Sequence, residues 1–190
     1  MAIATPRNER RLAAILAADI VGYSRLIEED EAATLAAIRD LRSRLVDPLL
    51  AGHRGRIVKL MGDGAIVEFG SVVDAAACAV AVQKAITEGQ AQSPPDRRIV
   101  FRMGVNLGDV VVDGDDLLGD GVNVAARLDQ LAEPGGVLVS GTATIICRAG
   151  SVCPWTMRAS SGSRASPVRR APTACGRTGG RAGPRYPGAG

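Results

Sequence analysis

Two aspartates stand where an apolar chain has little use for charge. Asp19 comes near the end of the run RLAAILAADIV (residues 11–21), and Asp63 sits in Gly62-Asp63-Gly64, between RIVKLM (56–61) and AIVEF (65–69). A carboxylate in such surroundings is costly unless it is paired or held on a metal. Taken singly, Asp19 reads as a strand-end residue capping a loop, and Asp63 as the first residue of a D-G turn. On adjacent strand ends the two together would clamp divalent cations, with a nearby backbone carbonyl as a third ligand. Directly after Asp19 come Ile20, Val21, Gly22, Tyr23 and Ser24. A bend there that leads into a helix aims successive N–H groups outward, a cradle suited to a nucleotide's polyphosphate.

A second group of residues has donor chemistry. Lys59 lies four residues before Asp63 inside an apolar strand, and the chain has only one other lysine, Lys84. In a sequence that otherwise uses Arg, a buried-looking Lys suggests that a compact point donor is wanted; the alternative is a side chain snorkelling from a half-exposed strand. Further on, residues 115–130 read DDLLGDGVNVAARLDQ. Asn123 and Arg127, four apart, share one face of a short helix whose other side carries Val124, Leu128 and Leu131. A neutral and a cationic donor on one face can orient a sugar ring oxygen and neutralise charge developing on a phosphate. The plainer reading is an exposed polar face, with Arg127 paired to Asp120 or Asp129.

The elements that must carry these residues follow from periodicity and turn chemistry. Residues 11–21 read as a central strand, with the Ala content leaving a helix as the alternative. Apolar positions Leu35, Ile38, Leu41, Leu45 and Leu49 predict an amphipathic helix over 30–51, kinked near Pro48 and closed by Gly52. The segments 56–61 and 65–69 form a hairpin. Ser71 and Asp74 open a helix over 72–89. Strands follow at 99–105 and 110–112 with a bend at Gly108-Asp109, then a helix over 121–131, a strand over 137–140 and a last helix from Thr142 to about Arg148. The order β-α-β-β-α-β-β-α-β-α suits an α+β fold of the ferredoxin-like kind: a largely antiparallel sheet with helices packed on one face.

Composition narrows the class. The chain has 190 residues and is 46% apolar but only 3% aromatic, so its core must be aliphatic. No run approaches the ~18 apolar residues of a membrane span. Four cysteines without a CxxC pair, and a single His, argue against a zinc site or a disulfide framework and for a reducing, cytoplasmic setting. The net charge of +3 is unevenly spread: all 20 acids and 16 of the 23 basic residues lie in 1–150, and the remaining seven, all Arg, lie in 151–190. Poor in large apolar residues, that tail reads as disordered, with the composition that out-of-frame reading of GC-rich DNA produces. Its scattered Arg residues lack the interleaved aromatics of a nucleic-acid binder.

Taken together, AADIVGYS (17–24), KLMGDG (59–64) and GDGVNVAARL (119–128) make the chain resemble the class III nucleotidyl cyclase catalytic domain, from about Arg10 to Arg148. The resemblance divides the chain into an extension (1–9), a cyclase domain (10–148) and a tail (149–190). It implies adenylate cyclase activity, converting ATP to 3′,5′-cyclic AMP and pyrophosphate. Asp19, Asp63 and the Ile20 carbonyl would hold two Mg²⁺ or Mn²⁺ ions, with Val21, Gly22, Tyr23 and Ser24 at the phosphates. Lys59 and Asp116 match the family's base-reading pair: Lys donates to adenine N1 and Asp accepts from the 6-amino group, the reverse of guanine's pattern. Asn123 would orient the ribose and Arg127 stabilise the transition-state charge. In the family these groups meet across a head-to-tail homodimer. The family's closing β-hairpin, with its phosphate-binding Lys, has no counterpart after Arg148. Asp109 also occupies a position where some animal relatives carry a phosphate-binding Arg. These departures leave a second reading: a truncated cyclase-fold module that binds nucleotide or a partner without turnover.

Overall fold

The strand β1, Glu9–Ile20, is buried on both of its faces, which is why its sequence is a continuous apolar run rather than an alternation. Ala14 and Leu16 join one core cluster, and Ala13, Ile15 and Ala17 another on the opposite side. The computed structural model describes residues 9–114, 116–149 and 159–160. β1 is followed by α1 (Tyr23–Leu41), a π-helical turn (Arg42–Val46), α2 (Asp47–Gly52), β2 (Arg56–Leu60), β3 (Gly64–Phe69) and α3 (Val72–Gly89). Then come β4 (Phe101–Asp113), β5 (Asp116–Leu118), α4 (Asp120–Leu131), β6 (Val137–Ser140), α5 (Gly141–Ala149) and the two-residue β7 (Ala159–Ser160). The expectation of a disordered tail otherwise lies outside the described residues.

The sheet runs β2-β3-β1-β4-β6-β7, and β5 also pairs with β4. Pairings among β1 to β5 are antiparallel; β4–β6 and β6–β7 are parallel. The far edge of β4 is shared, with β6 on Met103–Val105 and β5 on Val111–Asp113. The helices do not keep to one face, as the sequence suggested. α2, α3 and α5 cover the side of Leu16, Val67, Phe69 and Val139, while Ala125 of α4 packs on the side of Ile15, Ile66 and Val110.

Local sequence explains most boundaries. Ser71 caps α3 as expected, its Oγ accepting from the Val73 N–H at 3.2 Å. The helix expected from Asp30 begins earlier, at Tyr23, but it breaks at Asp30 (φ −162°, ψ 91°). There the Asp30 carboxylate accepts from the Ala33 N–H at 3.0 Å and caps the second segment. Pro48 lies in the first turn of α2, where its missing N–H costs nothing, and the wide π turn immediately precedes it.

One boundary differs in kind. Gly108-Asp109 is not a bend: β4 continues through it, and the reversal comes at Gly114, whose φ of +61° suits glycine. Gly108 has another purpose. A Cβ there would lie 3.0 Å from the Cα of Gly121, so two small residues let α4 lie directly on β4.

Across the hairpin, buried Glu68 of β3 is clamped by Arg11 of β1 and by Arg56 of β2, whose Nη2 is 2.9 Å away. Burial raises the Glu68 pKa, but the hydrogen bonds from the two guanidiniums outweigh it and hold the carboxyl below its ordinary value. Glu68→Gln should therefore lower stability at pH 7 by about 1–3 kcal/mol, since two half-exposed Arg side chains lose a charged acceptor. The contribution is fully present above the unfolded pKa of about 4.3 and is lost as pH falls through the depressed folded value. Melting curves of the two proteins should thus converge in acid.

Candidate active site

Backbone register builds the acidic corner. Asp19 stands opposite Gly64 on β3 and opposite Arg102 on β4. The Ile20 N–H donates to the Asp63 carbonyl at 2.7 Å, which sets the end of β1 against the β2–β3 turn. Gly64 permits this approach, because a Cβ there would come within 2.3 Å of the Ala18 carbonyl oxygen. Asp19, Ile20 and Asp63 are thus neighbours, with Asp63 exposed and Asp19 half-buried and ion-paired to Arg102.

This donor set fits a hard divalent cation. It consists of oxygens only, and among the described residues no three acidic, His or Cys side chains converge as a cage. Mg²⁺ is commonly bound through one or two carboxylates, with substrate phosphate completing its shell. The bend expected after Asp19 leads into a helix, α1. Gly22 has a φ of +68° and starts α1, and among the described residues no side-chain cap accepts from the first N–H groups of the helix, beginning at Tyr23 and Ser24. The Val21 N–H is instead used inside the fold, donating to the Val100 carbonyl at 2.8 Å.

Lys59 and Asp116 meet although 57 residues separate them: Lys59 Nζ is 3.3 Å from Asp116 Oδ2. They belong to β2 and β5, strands on opposite sides of the sheet path, so the sheet curls until these edges approach each other. Val58, Val112 and Leu117 fill the space beneath. The Leu117 N–H, at 2.9 Å from Oδ1, also orients Asp116. Lys59 is exposed, not buried as its apolar neighbours suggested, because β2 is an edge strand with a bulge between Ile57 and Lys59.

Asn123 and Arg127 lie exposed on the same side of α4. Among the described residues no ion pair joins Arg127 to Asp120 or Asp129. Nor does a hydrogen bond or ion pair link this face to Asp19 or Asp63. The structure therefore groups Asp19, Ile20 and Asp63, and separately Lys59 and Asp116, and among the described residues joins Asn123 and Arg127 to neither group by a hydrogen bond or ion pair.

Two residues near the acidic corner were not singled out by sequence. Asp129 is buried on the inner side of α4, and its pKa rises to about 6, chiefly from burial and then from the charges of Asp19 and Asp63, against the Gln130 N–H and Arg102. Its position was open to inference: Ala125, Leu128, Asp129 and Ala132 form one helical stripe, and all four are buried. Arg102 carries no such signal, since its partner depends on strand register.

The chain is an α+β domain whose antiparallel-rich sheet sets an acidic strand-end corner beside a helix N-terminus. Its fold is shared with solved nucleotidyl cyclases. The crystal structure of an adenylate/guanylate cyclase/hydrolase from Silicibacter pomeroyi is 42% identical, with a TM-score of 0.71 over 76% of this chain and 84% of that one. The adenylyl cyclase CyaB from P. aeruginosa, 24% identical, matches in fold with a TM-score of 0.66 over 75% of this chain and 83% of that one. The profile of the adenylate and guanylate cyclase catalytic domain matches residues 6–158, and the chain belongs to that family. It is 55% identical over 131 residues to the "Putative adenylate cyclase 3" of Rhizobium meliloti (strain 1021), covering 69% of this chain but 22% of that protein. The chain thus spans about a fifth of that relative's length. Among the described residues no helix is long and apolar enough to cross a membrane.

Proposed function

We propose that the chain is an adenylate cyclase that converts ATP to 3′,5′-cyclic AMP and pyrophosphate at sites shared between two copies. The observation that carries the choice of ATP is the Lys59–Asp116 pair. It presents a donor and an acceptor side by side, the complement of adenine N1 and its 6-amino group. Before substrate arrives the two groups satisfy each other; adenine would slot between them. Guanine offers the opposite polarity at those edges and would leave both groups facing like partners.

The remaining residues divide the work along the substrate. The helix start at Gly22, Tyr23 and Ser24 binds phosphate oxygens through N–H groups, with Val21 shaping the bend. Asp19, Asp63 and the Ile20 carbonyl would hold two Mg²⁺ or Mn²⁺ ions, which supply acidification of the ribose 3′-hydroxyl and charge neutralisation at the α-phosphate. Asn123 of the second copy orients the ribose, and its Arg127 balances the charge that builds as pyrophosphate leaves. The exposure of both side chains, neither of which has an ion-pair partner among the described residues, supports this assignment.

Base selection supplies the test. Wild-type protein with Mn²⁺-ATP should yield cyclic AMP, and with Mn²⁺-GTP far less cyclic GMP. Lys59→Glu removes the donor and adds an acceptor. The ratio of kcat/KM for ATP over GTP should fall roughly 10- to 100-fold, the scale on which a misplaced hydrogen-bond pair is rejected. An unchanged ratio removes Lys59 from base reading.

A further inference from the structure

The acidic corner contains one cation of its own. Arg102 of β4 stands directly across the ladder from Asp19, and its Nη2 donates to Asp19 Oδ2. Its Nη1 reaches the Gln130 carbonyl near the C-terminal end of α4, at a long 3.4 Å. Its Nε is buried and, among the described residues, has no hydrogen-bond partner. Buried guanidinium donors are normally all satisfied, since an orphan is costly. This side chain is held by its charge pairing with Asp19, not by a complete set of hydrogen bonds.

Resting on the reading of Asp19 as a metal ligand, we infer that Arg102 competes with a divalent ion for the Asp19 carboxylate. It occupies Asp19 until a divalent ion takes the carboxylate, and so it sets how tightly that ion binds. Three features of the corner support a competitor over a simple orienting partner. The guanidinium bonds Asp19 Oδ2, a carboxylate oxygen that a cation would use, and both side chains are only about a quarter exposed, so the pairing is little screened. A positive charge at that place opposes a second one. Arg102 also has a second partner to keep: its Nη1 already reaches the Gln130 carbonyl, and the buried Asp129 lies close enough to feel its charge. Without Arg102 the charges of Asp19 and Asp63, both felt by the buried Asp129, would lose the cation that pairs with Asp19.

The expected signature is a pair of opposite changes, which a purely structural role would not produce. Arg102→Met should lower the melting temperature in EDTA by several degrees. It should tighten Mn²⁺ binding, followed by the paramagnetic signal of the free ion, roughly three- to tenfold, the scale of a partly buried ion pair. Arg102→Lys, which keeps the charge, should bind Mn²⁺ nearly as the wild type does. Arg102→Gln carries the same test should the Met variant fail to fold. Weaker or unchanged Mn²⁺ binding in the charge-removed variant overturns the inference. If instead the wild type binds no Mn²⁺, or binds it equally well with Asp63→Ala, it is the assignment of the metal corner that fails.

Discussion

Asp63→Ala should lower cyclic AMP formation from Mn²⁺-ATP by at least about a thousandfold while leaving the fold intact. The size follows from what the residue does in the proposed site. Asp63 is exposed at the tip of the β2–β3 turn and, among the described residues, makes no side-chain hydrogen bond or ion pair that holds the structure together. The link between the turn and β1 is made by its backbone carbonyl, which accepts from Ile20 and survives truncation of the side chain. Loss of one of only two carboxylates removes most of the charge that would retain the cations, and metal-assisted phosphoryl chemistry loses several kcal/mol without them. Asn123→Ala should also fail, by about 10² to 10³, the cost of deleting one preorganised donor. Circular dichroism and melting curves of both variants should match the wild type. A wild-type chain that makes no more cyclic AMP than these variants would be a nucleotide-binding module rather than an enzyme.

The chemistry-bearing residues were legible because they sit on local signals. The D-G pair predicted the hairpin that carries Asp63, and the apolar run predicted the strand that carries Asp19. α3 begins and ends where its cap and its Gly89 placed it. What sequence could not supply was register. Arg102 faces Asp19 only because β1 and β4 pair along their whole lengths, and that follows from β4 continuing through Gly108. Glycine before an aspartate is a turn signal when read locally. Here the close approach of α4 required it instead, a tertiary demand that leaves the same residue in the sequence. Lys59 shows the same limit: its apolar neighbours look like a central strand, but β2 lies at an edge, and the bulge leaves Lys59 outside.

Curvature was equally invisible. The meeting of Lys59 with Asp116 depends on the sheet bending until β2 approaches β5, which no pairwise pattern encodes. It has a physical cause in the cluster between those strands, where Val58, Ile66, Val112 and Leu117 bury against one another and draw the edges in. The Lys59–Asp116 pair is therefore positioned by a small apolar core and not by a loop, and its geometry belongs to one chain. The Asn123–Arg127 face is instead the exposed side of α4, with no ion pair or hydrogen bond to the acidic corner among the described residues, and the proposed sharing of sites determines what a mixture of variants should do.

Mixing Asp63→Ala with Asn123→Ala, each nearly inactive alone, should restore about a quarter of the wild-type activity. In a head-to-tail pair every site takes its acidic corner from one copy and its Asn-Arg face from the other. A mixed dimer then has one site with both defects and one with neither. Random pairing at equal concentration makes about half of the dimers mixed, each with one working site of two. Recovery should rise as the proteins are titrated together, and it should be absent when a chain carrying both defects is mixed with either single variant, because the double variant supplies neither an acidic corner nor an Asn-Arg face and no site is then complete. No recovery at any ratio, with dimers present by light scattering, would mean that each chain assembles its own site. The exposed Asn123 and Arg127 would then have to reach Asp19 and Asp63 by a movement of α4 away from β4, against the close packing at Gly108 and Gly121 that holds it there.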